Sequence, residues 1–237
     1  MCQTGRSPSI RRATFADVGG IADVVQEVWN REILRYVCEA HLEDDDCSIW
    51  VAAQEDRVLG FVSAFLTVGS KGCRRWEVDL VAVRPAHQGQ GLGHVLIKQV
   101  FEDGRGHDAD IARALIRIAN LPSQRAFTGS GFRTDNHVHR LLLWAPEIGD
   151  DVTSCPNGVW LRPVDTLMYR GLWIEGLTSV PAEAQRRAVR AARAIVAEES
   201  RANVGAVIVA DEENRLAPDL RDQMHVHGDY CWFVRRK

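Results

Sequence analysis

No run of apolar residues in this chain approaches the roughly 20 that a membrane-spanning helix requires, so no membrane partner is expected. The polar opening from Met1 to Arg12 lacks the apolar core of a secretory leader, and a cytoplasmic location is the expectation. Paired cysteines are missing too. Cys2, Cys38, Cys47, Cys73, Cys155 and Cys231 are scattered with no C-x-x-C spacing, which fits reduced thiols rather than a disulfide framework. Charge of one sign is also scarce: 29 Lys and Arg stand against 32 Asp and Glu, a net charge of -3. Nothing global therefore attracts a polyanion, and no nucleic-acid partner is expected.

What is present is the composition of an ordinary globular protein. The 237 residues are 46% hydrophobic and 26% charged, enough for one large core or two small ones. Ser9 to Ala13 reads as a short strand. Thr14-Phe15-Ala16-Asp17 reads as a capping box, and Val18, Ile21, Val25, Val28 and Trp29 recur at helical spacing, predicting a helix to about Tyr36. Ile49 to Ala53 and Val58 to Phe65, separated by Gln54-Glu55-Asp56-Arg57, predict a hairpin, and Trp76 to Val83 a further strand. Leu92, Val95, Leu96, Val100 and Phe101 supply the buried stripe of the next helix. Ala112 to Ala119 is strand-like, Pro122 to Thr128 a short helix with proline at its start, and His139 to Trp144 a closing strand. The expected order is β-α-β-β-β-α-β-α-β, an α/β fold, in a first domain spanning 1–146.

Between the Trp76 to Val83 strand and its following helix lies Gln88-Gly89-Gln90-Gly91-Leu92-Gly93. A helix N-terminus carries partial positive charge and unpaired N–H groups, and glycines let backbone approach a phosphate closely. The Walker lysine is absent, and the spacing is not the G-x-G-x-x-G of dinucleotide folds. The loop alone is also compatible with a tight turn that holds no ligand.

Val83, Pro85, Gln88, Gly91 and Gly93 match the signature of the GCN5-related N-acetyltransferases, an apolar strand ending in V-x-P and then Q/R-x-x-G-x-G/A. Downstream, Asn120, Ser123, Phe127, Gly131 and Phe132 fall at the spacings of that family's second pattern. From Ser9 to Trp144 the chain resembles this family. The resemblance implies a mixed, splayed β-sheet flanked by helices, with acetyl-CoA as co-substrate. Its pyrophosphate would rest on the amides of Gln88, Gly89, Gln90, Gly91, Leu92 and Gly93. Its pantetheine arm would lie along the fourth strand at Val81 and Val83, near Asn120, Ser123 and Phe127.

The reaction implied is attack of a neutral primary amine on the thioester, which needs a base for the ammonium proton and a donor for the oxyanion. Strand alternation predicts that Glu77, Asp79, Val81 and Val83 share one face. Glu77 is the expected base, with Asp79 binding the cationic substrate or sharing the role, and the Val81 N–H is the expected carbonyl donor. Phe127 stands where many family members carry a tyrosine that protonates the leaving thiolate, and a phenyl ring has no proton to give. That departure keeps a non-catalytic acyl-CoA sensor or scaffold open as the alternative.

Glu147 to Gly158 reads as a linker, bounded at 147–157, ahead of a smaller second α/β domain at 158–237. There Leu167 to Leu177 reads as a strand, Pro181 to Arg201 as a helix, and Val204 to Ala210 and Tyr230 to Val234 as strands. Arg170 to Pro181 resembles the family's fourth strand without its loop: Ala184, Arg187 and Val189 occupy the signature positions. A degenerate, truncated copy that cannot hold CoA is the expectation, with Trp160, Tyr169, Trp173 and Glu175 available to wall an amine cleft. Arg186, Arg190 and Arg193 share one helical face, which reads as solvated arginines ahead of a nucleic-acid surface. His137-Val138-His139 and His225-Val226-His227 each predict two imidazoles on one strand face, but with no third ligand in sequence no metal is expected. A homodimer is compatible with the sequence.

Overall fold

The computed structural model describes residues 7–70, 72–148 and 155–236. The chain forms two units that interleave in sequence: Met1–Leu115, Leu121–Arg133 and Phe233–Lys237 make the first, Ile116–Asn120 and Thr134–Trp232 the second.

In the first unit, β1 (Ser9–Arg12), β2 (Cys47–Gln54), β3 (Arg57–Val68) and β4 (Arg74–Val83) are antiparallel neighbours in that order. The strand β5 (Ile111–Arg117) pairs parallel to β4. The helices α1 (Val18–Trp29), α2 (Arg35–Glu43), α3 (Leu92–Gly106) and α4 (Leu121–Gly129) complete it. The mixed sheet flanked by helices is the architecture expected from the sequence.

Thr14 does cap the first turn. Asp17 accepts from the Thr14 N–H at 2.8 Å and the Thr14 hydroxyl at 2.9 Å, while Arg11 grips both of its oxygens at 2.7 Å. Hydrogen bonding from Arg11 holds the Asp17 carboxyl below its ordinary range. A depressed folded pKa stabilises the fold above the unfolded value of about 3.9 and loses that contribution as pH falls through the folded value. Asp17→Asn should therefore lower Tm at pH 7 and flatten the fall of Tm below about pH 4, as thermal scans across pH would read.

The long first helix expected to run to Tyr36 is two helices. Asn30 adopts a left-handed conformation, φ 52°, and its side chain accepts from Gln26 at 2.8 Å, ending α1 before α2 begins. Asparagine tolerates that conformation better than other residues with a Cβ, so the break has a local cause.

Trp76 is fully buried and donates its indole N–H to the Val100 carbonyl of α3 at 2.9 Å. The indole lies against Gly104, where an added Cβ would meet ring atoms at 2.5 and 2.6 Å. Gly104→Ala should overpack this contact, costing about 1–3 kcal/mol and several degrees of Tm in thermal denaturation.

The second unit carries β6 (Arg133–Thr134) at its start, then β7 (His139–Trp144), β8 (Trp160–Asp165), β9 (Arg170–Glu175), α5 (Ala182–Glu198), β10 (Val204–Val209), α6 (Pro218–Gln223) and β11 (His225–Arg236). Its sheet runs β11-β7-β10-β9-β8, with β9 and β10 parallel on either side of α5. Leu142, Trp144, Leu172, Ile174, Val204, Ala206 and Ile208 pack against α5 through Ala188, Val189, Ala192 and Val196.

Two features depart from the sequence reading. His139–Trp144 pairs antiparallel with both β10 and β11 and so belongs to the second unit, not to a domain ending at 146. The strand β8 went unpredicted, since it carries Pro163; it pairs with β9 alone among the described strands, as proline in an edge strand allows. Of the expected linker, 149–154 lies outside the described residues. No described helix is long and apolar enough to cross a membrane.

Candidate active site

The fourth strand does not alternate evenly. Val62 pairs with Val81 and Ala64 with Val78, so the two residues Asp79 and Leu80 stand opposite the single Ser63, a β-bulge. The Leu80 N–H is satisfied by the Ser63 hydroxyl at 3.3 Å. This corrects the shared face expected for Glu77, Asp79, Val81 and Val83. Glu77 pairs with Phe65, three residues from Val62 on β3, and three residues along a strand reverse the face. Val81 and Val83 thus share a face with Trp76 and Val78, Glu77 points to the other side, and Asp79 lies exposed in the bulge.

Glu77 is buried, and its carboxylate is engaged. Arg113 of β5 donates through Nε to Oε2 at 2.8 Å and through Nη2 to Oε1 at 2.7 Å; the Thr67 hydroxyl donates to Oε1 at 2.6 Å. Arg75 Nε lies 3.4 Å from the same oxygen and donates to the Thr67 hydroxyl at 3.1 Å. Both carboxylate oxygens are thus directed at donors within the sheet. Reading along the sequence missed Arg113, Thr67 and Arg75; only the cross-strand registers Glu77↔Arg113 and Thr67↔Arg75 bring them together.

The parallel pairing of β4 with β5 is brief: Arg75↔Ile111, Trp76↔Ala112, Glu77↔Arg113. Beyond Glu77 the two strands no longer pair, and the edge of β4 from Val78 to Val83 is released at the bulge. That is the splay expected after the fourth strand.

At the end of β4, Pro85–His87 makes one 3-10 turn, and the Gln88 side-chain amide donates back to the Val83 carbonyl at 3.0 Å. Gly89 has φ 74° and Gly91 φ 82°, conformations that a Cβ penalises. Yet a Cβ on either would meet nothing within 4 Å, so space does not demand glycine there. Gly91 is the N-cap of α3, with no side-chain hydrogen bond capping the helix. Gln88, Gly89, Gln90 and Gly91 are exposed; Leu92 and Gly93 are half-buried. The first turn of α3 therefore offers backbone donors, no side chain competing as a cap, and open room for an anion.

The downstream residues separate. Asn120 is exposed in the turn after β5, its N–H bound to the Arg117 carbonyl at 2.9 Å, and Ser123 is half-buried on α4. Phe127 is 3% exposed and sits edge-on to Phe132 at 5.1 Å and tilted to Phe233 at 6.4 Å, a core aromatic.

In the second unit, the arginines of α5 are largely engaged. Arg186 holds Asp219 through Nε and Nη2, and Arg193 meets Glu147 at 2.6 Å and the Ala145 carbonyl at 2.7 Å. Arg190 is exposed. That leaves little of a basic face. A bulge between Val226 and Gly228 breaks the alternation that would place His225 and His227 on one side, a correction to the sequence reading, and His227 instead contacts Arg117 at 3.0 Å. Among the described residues no cluster of three His, Cys, Asp or Glu is placed to hold a metal.

A strand that parts from its neighbour at a bulge is thus followed directly by a helix whose start has no side-chain cap and open glycines. Residues 14–132, half of the chain, match the family model described as the acetyltransferase (GNAT) family, and the chain belongs to that family. None of the curated proteins compared matches it.

Among solved structures, a GCN5-related N-acetyltransferase from Sphaerobacter thermophilus is 15% identical with a TM-score of 0.56, over 97% of this chain and 95% of that one. The glucosamine N-acetyltransferase region of a fungal multi-domain GH3 beta-N-acetylglucosaminidase is 10% identical with a TM-score of 0.62, over 99% of this chain and 39% of that one. Both likenesses are of fold.

Proposed function

We infer that the first unit transfers an acetyl group from acetyl-CoA to a primary amine by direct attack on the thioester. The observation that carries this reading is the pairing of an open, positive-φ glycine turn at the uncapped start of α3 with a β4 edge released from β5. The amides of Gln88 to Gly93 hold the pyrophosphate, and the freed edge from Val78 to Val83 takes the pantetheine arm as an added strand. The Val81 N–H donates to the thioester carbonyl.

The amine nitrogen bonds to the carbonyl carbon, the C–S bond breaks, and CoA leaves as thiol or thiolate. Only the neutral amine can attack, so the acceptor ammonium first gives one proton to a base; a second proton leaves nitrogen as the amide forms and balances the one taken up by the departing sulfur. Asp79, exposed in the bulge on the released β4 edge, takes the role of that base; Glu77 is buried in the sheet. With an ordinary thiol pKa of about 8.5, the sulfur can leave as thiolate and take its proton from water, so Phe127 slows the reaction without forbidding it.

A second reading, a non-catalytic acyl-CoA binder, is favoured by one observation: Phe127 is a buried ring with no proton to donate. The second unit fits a degenerate copy. It repeats strand, 3-10 turn, helix and parallel strand from Arg170 to Val209, but Pro181 stands at the N-cap position that Gly91 takes in the first unit. A panel of primary amines incubated with acetyl-CoA and assayed for free thiol separates the two. Amine-dependent thiol release supports transfer, and tight acetyl-CoA binding with no release for any amine supports the binder.

A further inference from the structure

The last rung joining β4 to β5 is a buried ion pair, which is an unusual choice for a rung between two strands whose neighbouring positions are apolar. Trp76 and Ala112, one rung before it, are 0% and 4% exposed. At the next rung Glu77 and Arg113 meet through two guanidinium hydrogen bonds of 2.7 and 2.8 Å, with side-chain exposures of 10% and 17%. After that rung β4 bulges at Asp79 and Leu80, and pairing with β5 ceases.

A bidentate arginine–carboxylate pair has a fixed planar geometry, unlike a pair of apolar side chains that slide and repack. Removing Arg113 takes away the bidentate partner and leaves the buried Glu77 carboxylate only Thr67 and Arg75 among the contacts described above. Such a pair specifies one register and resists its neighbours. Here Thr67 and Arg75 complete it from β3 and β4, so three strands are tied at the level where two of them part.

We propose that Arg113 and Glu77 form the pin that sets where β4 and β5 separate, and that Arg113 is thereby a positioning residue for the acetyl-CoA slot along Val78 to Val83. The proposal rests on the transferase reading for its functional consequence. Without the pin, parallel strands are free to slip or to pair further, and either change alters the β4 edge that the pantetheine arm must meet. Glu77 then acts through β4, touching neither amine nor thioester.

The test compares Arg113→Met, Glu77→Gln and the double variant with the wild-type full chain, after circular dichroism has established folding. The pin predicts that each single variant weakens acetyl-CoA at least tenfold, in Kd by titration and in KM by thiol release. The double variant should be no weaker than the worse single, since both remove one device. kcat at saturating acetyl-CoA should change far less than KM, and Glu77→Gln should keep the acid limb of the kcat–pH profile.

Unchanged acetyl-CoA affinity in Arg113→Met overturns the pin. So does a Glu77→Gln variant that loses kcat and the acid limb while Arg113→Met stays normal, since that pattern belongs to a base. Should Arg113→Met fail to fold, Arg113→Lys, which keeps the charge but not the fork, is expected to weaken acetyl-CoA likewise. A wild type that neither binds nor turns over acetyl-CoA rejects the transferase reading instead. The pin is then read in the free protein by amide exchange at Ile111–Arg113, expected at least tenfold faster in the arginine variants and contradicted by an unchanged rate.

Discussion

Gly93→Glu is expected to lose acetyl-CoA binding by more than 100-fold while the protein stays at least as stable as wild type. Gly93 is the second residue of α3, and an added Cβ would meet only the Val83 side chain, at 4.0 Å. Helical backbone accepts glutamate more readily than glycine, by roughly half a kcal/mol or more. A carboxylate in the first helical turn adds about 0.3–1 kcal/mol of its own. The property that favours the side chain, the positive end of α3, is the property that would hold a pyrophosphate. Glutamate therefore places charge and bulk on the anion site without breaking the fold. Gly91→Glu is less informative, because φ 82° makes any side chain strained there. Titration beside a thermal scan checks both halves of the expectation. A Gly93→Glu variant that binds as wild type removes the phosphate from this loop.

Asp79→Asn carries the second large effect. If Asp79 takes the ammonium proton, its amide analogue should lower kcat by about 10²–10⁴-fold, the usual scale of a general base, and erase the acid limb of the pH profile. Acetyl-CoA affinity should stay within about twofold, since the proposed contacts along Val78 to Val83 are main-chain ones that the amide side chain leaves in place, and the pyrophosphate contacts come from the α3 turn. Full turnover by Asp79→Asn in the thiol-release assay would place the base elsewhere. The contrast with Glu77→Gln, expected to act on acetyl-CoA affinity, separates two carboxylates that sequence alone put on one face.

That pair also marks where the sequence stopped being legible. The hairpin of β2 and β3, the strand β4, the glycine turn, α3 and β5 follow from alternation, helical periodicity and turn chemistry, each a local signal. A bulge adds one residue and reverses every face beyond it, so counting by twos from Glu77 to Val81 gave the wrong side. A trace of it was present: after Asp79 come Leu80, Val81, Ala82 and Val83, four apolar residues in a row where alternation should continue.

Arg113 was invisible for a different reason, since its meaning lies in the residue opposite it on another strand. Asn30 was readable as a helix stop. The second unit resisted because its pieces, 116–120 and 134–232, are not contiguous, and a strand such as His139–Trp144 reveals its partners in β10 and β11 only in the fold.

If the uncapped turn at the start of α3 and the released edge of β4 together hold acetyl-CoA, hydrogen–deuterium exchange of the full chain with and without saturating acetyl-CoA reads both segments at once. Slowed exchange at Gln88–Val95 and at Val78–Val83, absent in Gly93→Glu, is the predicted result. Binding accompanied by protection elsewhere, with both segments unchanged, would contradict the account.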